Sequence, residues 1–175
     1  MHILLGLLGI IGALALWYWR IKALRDAAGE LGDAAGDVRL AVRRFGYKRR
    51  HKTHPADCVE DARLAASGIA LAIAGCDGPL SRDELSAMAA EAKRVFGTSQ
   101  DESTEIAAFG RWVQGQCKTP EEVVRRLSRI VRKEAGADGS MQLIDLVPRV
   151  AKADGQELTE RQMDLINQLH RELSA

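Results

Sequence analysis

Two groups of carboxylates, each beside an Asp-Gly pair, are the residues whose types and spacing best suit binding chemistry. Hard carboxylate oxygens are the ligands that Ca²⁺ and Mg²⁺ prefer, so a divalent cation is a possible cofactor. The EF-hand pattern is absent, because residues 73 and 75 are Ile and Gly. The alternative is that each acid caps a helix or lies on a solvated first turn, where the helix dipole favours it. The predicted metal ligands are Asp77, Asp83 and Glu84 in the first group and Asp154, Glu157 and Glu160 in the second.

Catalytic chemistry finds little support in the residue pattern. A cysteine nucleophile needs a histidine base beside it, and beyond residue 57 the one histidine is His170, next to the apolar face of the last predicted helix. The sequence contains no glycine-rich phosphate loop, no zinc-protease motif and no nucleophile elbow. Three widely spaced cysteines favour neither a disulfide framework nor a zinc ribbon. We therefore predict that the chain is not an enzyme.

A run of cations without any acid extends from Arg39 to Lys52. Residues 1–56 carry 10 Lys and Arg against 4 acids, whereas residues 57–175 carry 15 against 20. Near a membrane such a run is typical of contact with anionic lipid headgroups, although a solvated linker is the alternative. Nucleic acid is disfavoured as a partner, because no nucleic-acid-binding motif follows and the rest of the chain is acidic. The predicted lipid contacts are Arg43, Arg44, Lys48, Arg49, Arg50 and Lys52.

The first nineteen residues predict a transmembrane anchor. Residues 3–19 contain no charge, and as a helix they extend about 26 Å, at the short end of what crosses a bilayer core. The run ends in Trp-Tyr-Trp at residues 17–19, and three cations follow by residue 25, which is typical of a membrane interface. Bulky residues at this point argue against a cleaved signal peptide. The charge distribution predicts a single pass through a bacterial inner membrane, with the N-terminus outside and the C-terminal part cytoplasmic.

Residues 20–56 are predicted to form a helical, basic stalk. Apolar residues recur there at alternating steps of four and three from Leu24 to Phe45, which is a short heptad pattern. The stalk either pairs with a second copy or lies against the domain or the membrane surface. Within the anchor, Gly6, Gly9 and Gly12 form a stripe that permits close helix packing. A homo-oligomer through the stripe and the stalk is therefore possible.

Residues 57–175 predict an all-α domain. Capping boxes at Ser81, Thr119 and Thr159 mark helix starts, and Gly97 and Gly136 suit helix ends. Sustained strand patterns are missing from the sequence. The predicted helices lie near residues 57–75, 81–96, 102–116, 120–135, 140–153 and 160–173.

An internal sequence repeat is the most specific pattern of this domain. Residues 74–97 (AGCDGPLSRDELSAMAAEAKRVFG) and 150–173 (VAKADGQELTERQMDLINQLHREL) each contain a helix end, an Asp-Gly turn and a capped amphipathic helix. In each turn Gly78 or Gly155 is expected to adopt the left-handed conformation, while the preceding aspartate bonds backbone amides. The pattern predicts two pseudo-repeated helical hairpins.

These two segments resemble the paired Asp-Gly hairpins of the tellurite-resistance TerB-like domain family, over about residues 57–175. The resemblance implies a bundle of about seven helices, a stress-associated interaction module, a proposed metal site and no catalytic activity. An anchor followed by such a domain is also similar to the membrane-anchored DnaJ-like co-chaperones. However, no J domain follows here, and Ala56 interrupts the His-Pro-Asp tripeptide.

Together these features predict a membrane-anchored module that recruits or senses an unidentified protein partner, in envelope or tellurite stress. One alternative is a membrane-organising scaffold that acts through self-association and lipid contact. Another is a divalent-metal-binding stress protein.

Overall fold

The computed structural model describes residues 36–175, and the chain is all-helical throughout this range. Residues 37–175 form one compact unit. The all-α fold class is thus confirmed for these residues. Residues 36–44 are helical and a short 3₁₀ helix covers Pro55–Cys58. The longer helices are α1 (Ala62–Ala74), α2 (Arg82–Phe96), α3 (Gln100–Gln114), α4 (Pro120–Ala151) and α5 (Glu160–Ser174).

The predicted anchor at residues 1–19, its glycine stripe at Gly6, Gly9 and Gly12, and the stalk up to residue 35 lie outside the described residues. Between residues 36 and 175, no helix combines the length and the apolar character that crossing a membrane requires.

Helix α1 forms the centre of the unit. Every residue from Leu64 to Ala74 is buried, as expected for a helix that is apolar on all sides. It packs mainly against α3 and α4. The predicted start near residue 57 is wrong, because Pro55–Cys58 forms a separate turn and Asp61 caps α1 by accepting a hydrogen bond from the Arg63 amide at 2.8 Å.

The capping residues set most helix starts as predicted. Ser81 and Glu84 exchange hydrogen bonds of 2.6 and 3.1 Å at the start of α2, and Thr159 and Gln162 do the same at the start of α5. At α4 only half of the predicted box forms, because the Glu122 carboxylate accepts from the Lys118 amide instead of the Thr119 amide.

A further capping box, which the sequence analysis missed, begins α3. Ser99 and Glu102 exchange hydrogen bonds of 3.0 and 3.3 Å. Helix α3 therefore starts at Gln100, two residues before the predicted position.

Glycines end or interrupt helices at two predicted positions. Gly97 follows α2 with φ 65°. Gly136 lies within α4 with φ 64° and ψ −156°, so it divides that helix into two segments, as the sequence predicts. The Ser140 hydroxyl donates to the Gly136 carbonyl at 2.8 Å and stabilises the start of the second segment.

The basic run packs onto the helices through its aromatic residues. The Tyr47 ring meets Phe109 and Trp112 edge-on, with centroids 5.3 and 5.5 Å away. The Arg63 guanidinium lies 4.7 Å from the centroid of the Phe45 ring. The compact unit therefore includes part of the segment that the sequence analysis assigns to the stalk.

Candidate functional site at the two Asp-Gly turns

The α1–α2 turn and the α4–α5 turn meet at one side of the unit. The Thr159 hydroxyl donates to the Asp77 carboxylate, and the Gln162 amide donates to the Ala74 carbonyl at 3.2 Å. Both donors belong to the capping pair that starts α5, and both acceptors belong to the end of α1 and its turn. The residues that start α5 thus hold the two turns together, around a cleft of about 240 Å³.

Four of the six predicted metal ligands line this cleft. They are Asp77 and Glu84 from the first turn, and Asp154 and Glu157 from the second. Asp83 and Glu160 do not line it, although both are exposed in the first turn of their helices. The fold therefore brings together acids from the two repeated segments, but not all six predicted ligands.

Each acid of the cleft already has a partner within the protein. Glu84 is buried and accepts from the Ser81 amide, Asp154 accepts from the Gln156 amide at 3.0 Å, and Glu157 pairs with Lys152. Among residues 36–175, no group of three or more Asp, Glu, His or Cys side chains is arranged to hold a metal ion. A divalent cation at this site stays a prediction.

The two glycines of the turns differ in conformation. Gly155 has φ 81°, as predicted, whereas the left-handed conformation predicted for Gly78 is wrong. The reason is that α1 ends three residues earlier, at Gly75, whose amide donates to the Leu71 carbonyl at 3.0 Å. The chain then turns over a longer stretch and does not need a positive φ at Gly78.

Two thiols near the turns and the start of α4 are strongly protonated. Burial, helped by the Asp77 charge, raises the pKa of Cys76 to about 11. Burial and the Glu122 charge raise the pKa of Cys117 to about 11 as well. Because the thiolate is the reactive form of cysteine, neither side chain is an activated nucleophile at neutral pH. All three cysteines are free thiols.

The six predicted lipid contacts divide into two groups. Arg44 donates to the buried Glu105 carboxylate at 2.8 and 3.1 Å and approaches Glu102 at 3.4 Å, and Arg50 pairs with Glu60. The remaining four are exposed and form no ion pair within the described part of the chain. They are Arg43, Lys48, Arg49 and Lys52.

A second group of cations lies on α4, and the sequence analysis missed it. Five cations and no acid occur between residues 123 and 133. The net charge of residues 57–175 conceals them, because that count averages them with the acids of the other helices. The spacing itself is visible in the sequence, since residues 125, 129 and 132 share one face of a helix. The group consists of Arg125, Arg126, Arg129, Arg132 and Lys133.

Comparisons of the chain with protein-family models, with curated proteins and with solved structures found no match. The TerB-like resemblance accordingly stays a prediction that depends on residues 74–97 and 150–173.

Proposed function

We propose that this chain is a membrane-tethered interaction module of the TerB-like type, which recruits or senses a protein partner at the cytoplasmic face of a bacterial inner membrane. The uncharged run at residues 3–19 would supply the tether, and the helical unit would supply the recognition surface. Tethering raises the effective concentration of that surface near the bilayer. Envelope or tellurite stress is the setting that the resemblance implies. No catalytic step forms part of this proposal.

The observation that carries the proposal is the cleft between the two Asp-Gly turns. Asp77, Asp154 and Glu157 are exposed at this cleft, so their carboxylates are accessible to a partner. The hydrogen bond between Thr159 and Asp77 joins turns that lie far apart in sequence, and positions their carboxylates relative to one another. Such a fixed acidic surface suits a partner that presents cations, because complementary charge steers association and gives specificity.

A membrane-organising scaffold is the second candidate. It is favoured by the exposed cations Arg43, Lys48, Arg49 and Lys52, which have no carboxylate partner within residues 36–175. Self-association through the glycine stripe and the stalk is the other half of this candidate and depends on sequence alone.

Crosslinking in native membranes tests the interaction module. The full chain is expressed, crosslinked and purified, and its partners are compared with those of an Asp77→Asn/Asp154→Asn variant. An Asp138→Asn/Asp164→Asn variant is the matched control, because it removes two exposed carboxylates that do not line the cleft. We expect the first variant alone to lose a specific partner. Identical partners for all three proteins would contradict a role for the cleft.

Two further measurements separate the remaining alternatives. The tether predicts that the full chain stays with the membrane after alkaline carbonate washing, and extraction into the soluble fraction would refute it. The metal alternative predicts heat and a thermal shift when Ca²⁺ or Mg²⁺ is titrated into the detergent-solubilised chain. The absence of both at millimolar metal would end the metal alternative and leave the interaction module standing.

A further inference from the structure

The two most basic stretches of the chain meet at one open cleft of about 810 Å³. Arg50 comes from residues 43–52, while Arg126, Arg129 and Lys133 come from α4. Asp57 of the 3₁₀ helix lines the same cleft, and its carboxylate pairs with Arg126 and lies 4.0 Å from Arg129. The fold thus brings Arg50 of the first segment beside three cations of the second, and we call the surface of these two segments around the cleft the basic face.

The acids of the basic face are already partnered by its own cations. Asp57 pairs with Arg126 and Glu60 with Arg50, and Glu134 pairs with Lys133 at 2.7 Å. Residues 43–60 and 123–134 together carry 11 Lys and Arg against 3 acids. The cleft itself is lined by four cations and three acids, so the positive excess of the basic face comes from the other cations of the two segments, apart from Arg44, which pairs with Glu105.

Helical spacing directs the α4 cations to the side away from the core. Val124, Leu127 and Val131 are buried against the unit, whereas the side chains of Arg129 and Lys133 are 60% and 81% exposed. Arg125 is exposed and Arg132 is half-buried on the same side of the helix, and neither forms an ion pair within residues 36–175. These cations are free to contact an anionic partner.

We propose that the basic face docks the folded unit onto the anionic surface of the bilayer, with α4 contributing as much as the segment next to the anchor. This inference extends the proposed membrane tether: the tether holds the chain at the membrane, and the basic face fixes which side of the unit lies on it. Exposed cations near an anionic leaflet are each attracted to it, and their contributions accumulate.

The aromatic residues of the basic run favour lipid over nucleic acid. Single-stranded nucleic acid is held by aromatic side chains on which bases stack. Here Tyr47 packs against Phe109 and Trp112, and Phe45 is covered by Arg63. Both rings are half-buried and already in contact with other side chains, and the fully exposed side chains of the run are mainly flexible cations. Such an array suits a surface of dispersed phosphate headgroups.

Lysine footprinting of the full chain tests the proposal. The chain is reconstituted in nanodiscs of phosphatidylcholine alone or with about one-third phosphatidylglycerol, and its lysines are acetylated and quantified by mass spectrometry. We expect Lys48, Lys52 and Lys133 to be protected in the anionic discs only. Lys93 and Lys152 are exposed elsewhere on the unit and should react equally in both. High salt should remove the protection, because screening weakens contacts between exposed charges.

A charge variant identifies the contribution of α4. The substitutions Arg125→Gln, Arg129→Gln and Arg132→Gln should lower the ratio of docked to undocked unit about a hundred-fold, and Lys48 and Lys133 should lose their protection together. The matched control Arg111→Gln/Arg161→Gln/Arg171→Gln removes the same charge from exposed positions outside these segments and should leave the protection intact. Equal loss in both variants would overturn the proposal, because net charge alone would then explain the docking.

The outcomes separate the docking from the tether. Retention by both kinds of disc without differential protection would refute docking and leave the tether standing. Retention by anionic discs alone, with the three lysines protected, would refute the tether and support docking. Failure to associate with either disc would refute both. Single-stranded DNA is also tested without lipid, at a phosphate concentration equal to that of the anionic lipid. Protection of the same three lysines by the DNA would overturn the assignment to a bilayer.

Discussion

The close approach of α1 and α3 at Ser67 and Gly110 makes Gly110→Ala the sharpest test of the packing. A methyl group at Gly110 would lie 2.1 Å from the Ser67 Oγ, and 2.8 Å from its carbonyl carbon. A hydroxyl can rotate, but backbone cannot move away without separating the two helices. The Ser67 hydroxyl also donates to the buried Ile106 carbonyl at 3.0 Å, so displacing it breaks a hydrogen bond in the core.

The magnitude follows from three contributions. Overpacking of this severity costs about 3 kcal/mol, and loss of the buried hydrogen bond about 1 kcal/mol more. Alanine offsets about 1 kcal/mol through its better helix propensity. The net loss is about 3 kcal/mol, and at about 3 °C for each kcal/mol in a unit of this size the melting temperature should fall by about 9 °C.

Thermal unfolding of the full chain in mild detergent, followed by circular dichroism at 222 nm, measures this loss. Gly68→Ala should be milder, because its methyl group would meet only the side-chain carbons of Leu127 and Val113, at 2.7 Å. Gly78→Ala is the control, since nothing lies within 4 Å of its added carbon. A Gly110→Ala variant as stable as Gly78→Ala would refute the described contact between α1 and α3.

Three further predictions concern the turns, the thiols and a paired carboxylate. Thr159→Ala removes the cap of α5 and the hydrogen bond to Asp77 and should lower the free energy of unfolding by about 1–2 kcal/mol. Thr104→Ala, which removes an exposed hydroxyl, is the control. Equal melting temperatures for the two variants would contradict the contact between Thr159 and Asp77. Because the pKa of Cys76 and Cys117 is raised to about 11, their alkylation by iodoacetamide, quantified by mass spectrometry, should rise about tenfold per pH unit from pH 8 to 10, and a plateau before pH 10 would argue against it. Partial burial raises the pKa of Glu91, but hydrogen bonds from Arg94 and Arg149 lower it overall from 4.5. A carboxyl whose pKa is lowered by folding stabilises the fold at pH values above its unfolded pKa, and this stabilisation is lost as the pH falls through its folded pKa. Glu91→Gln should therefore lower the melting temperature at pH 7 and leave it unchanged well below pH 4.

Local chemistry made most helix boundaries predictable. The side chains of Ser81 and Thr159 each accept from a backbone amide three positions along the chain. Gly136 adopts a positive φ without strain because it has no side chain. Such interactions are complete within a short segment, so the sequence displays them directly. The start of α1 was missed although it is also local, because the cap Asp61 is followed three positions later by Leu64 and not by the Glu or Gln that marks a capping box.

The candidate sites also combine features that are visible in the sequence with contacts that only the fold creates. The acids at Asp77 and Asp154 are visible as two Asp-Gly turns, but sequence alone does not place the turns at one cleft, which requires Thr159 to reach Asp77 across the fold. Arg44 illustrates the reverse case. It belongs to a basic run and is predicted to contact lipid, yet the structure commits it to Glu105, a carboxylate of α3. Charge patterns predict the composition of a surface, whereas the fold decides which charges remain unpaired.

The acidic cleft and the basic face adjoin opposite ends of α1. Asp57 and Glu60 of the basic face precede its first turn, whereas Asp77 of the cleft follows its last. The thirteen residues of α1 make about 20 Å of helix, so the two surfaces are separated by more than a Debye length of about 8 Å at physiological salt. An anionic bilayer attracts one surface and repels the other, and both forces turn the unit in the same direction. A unit docked through its basic face would therefore present the Asp-Gly cleft away from the bilayer, where a partner could reach it.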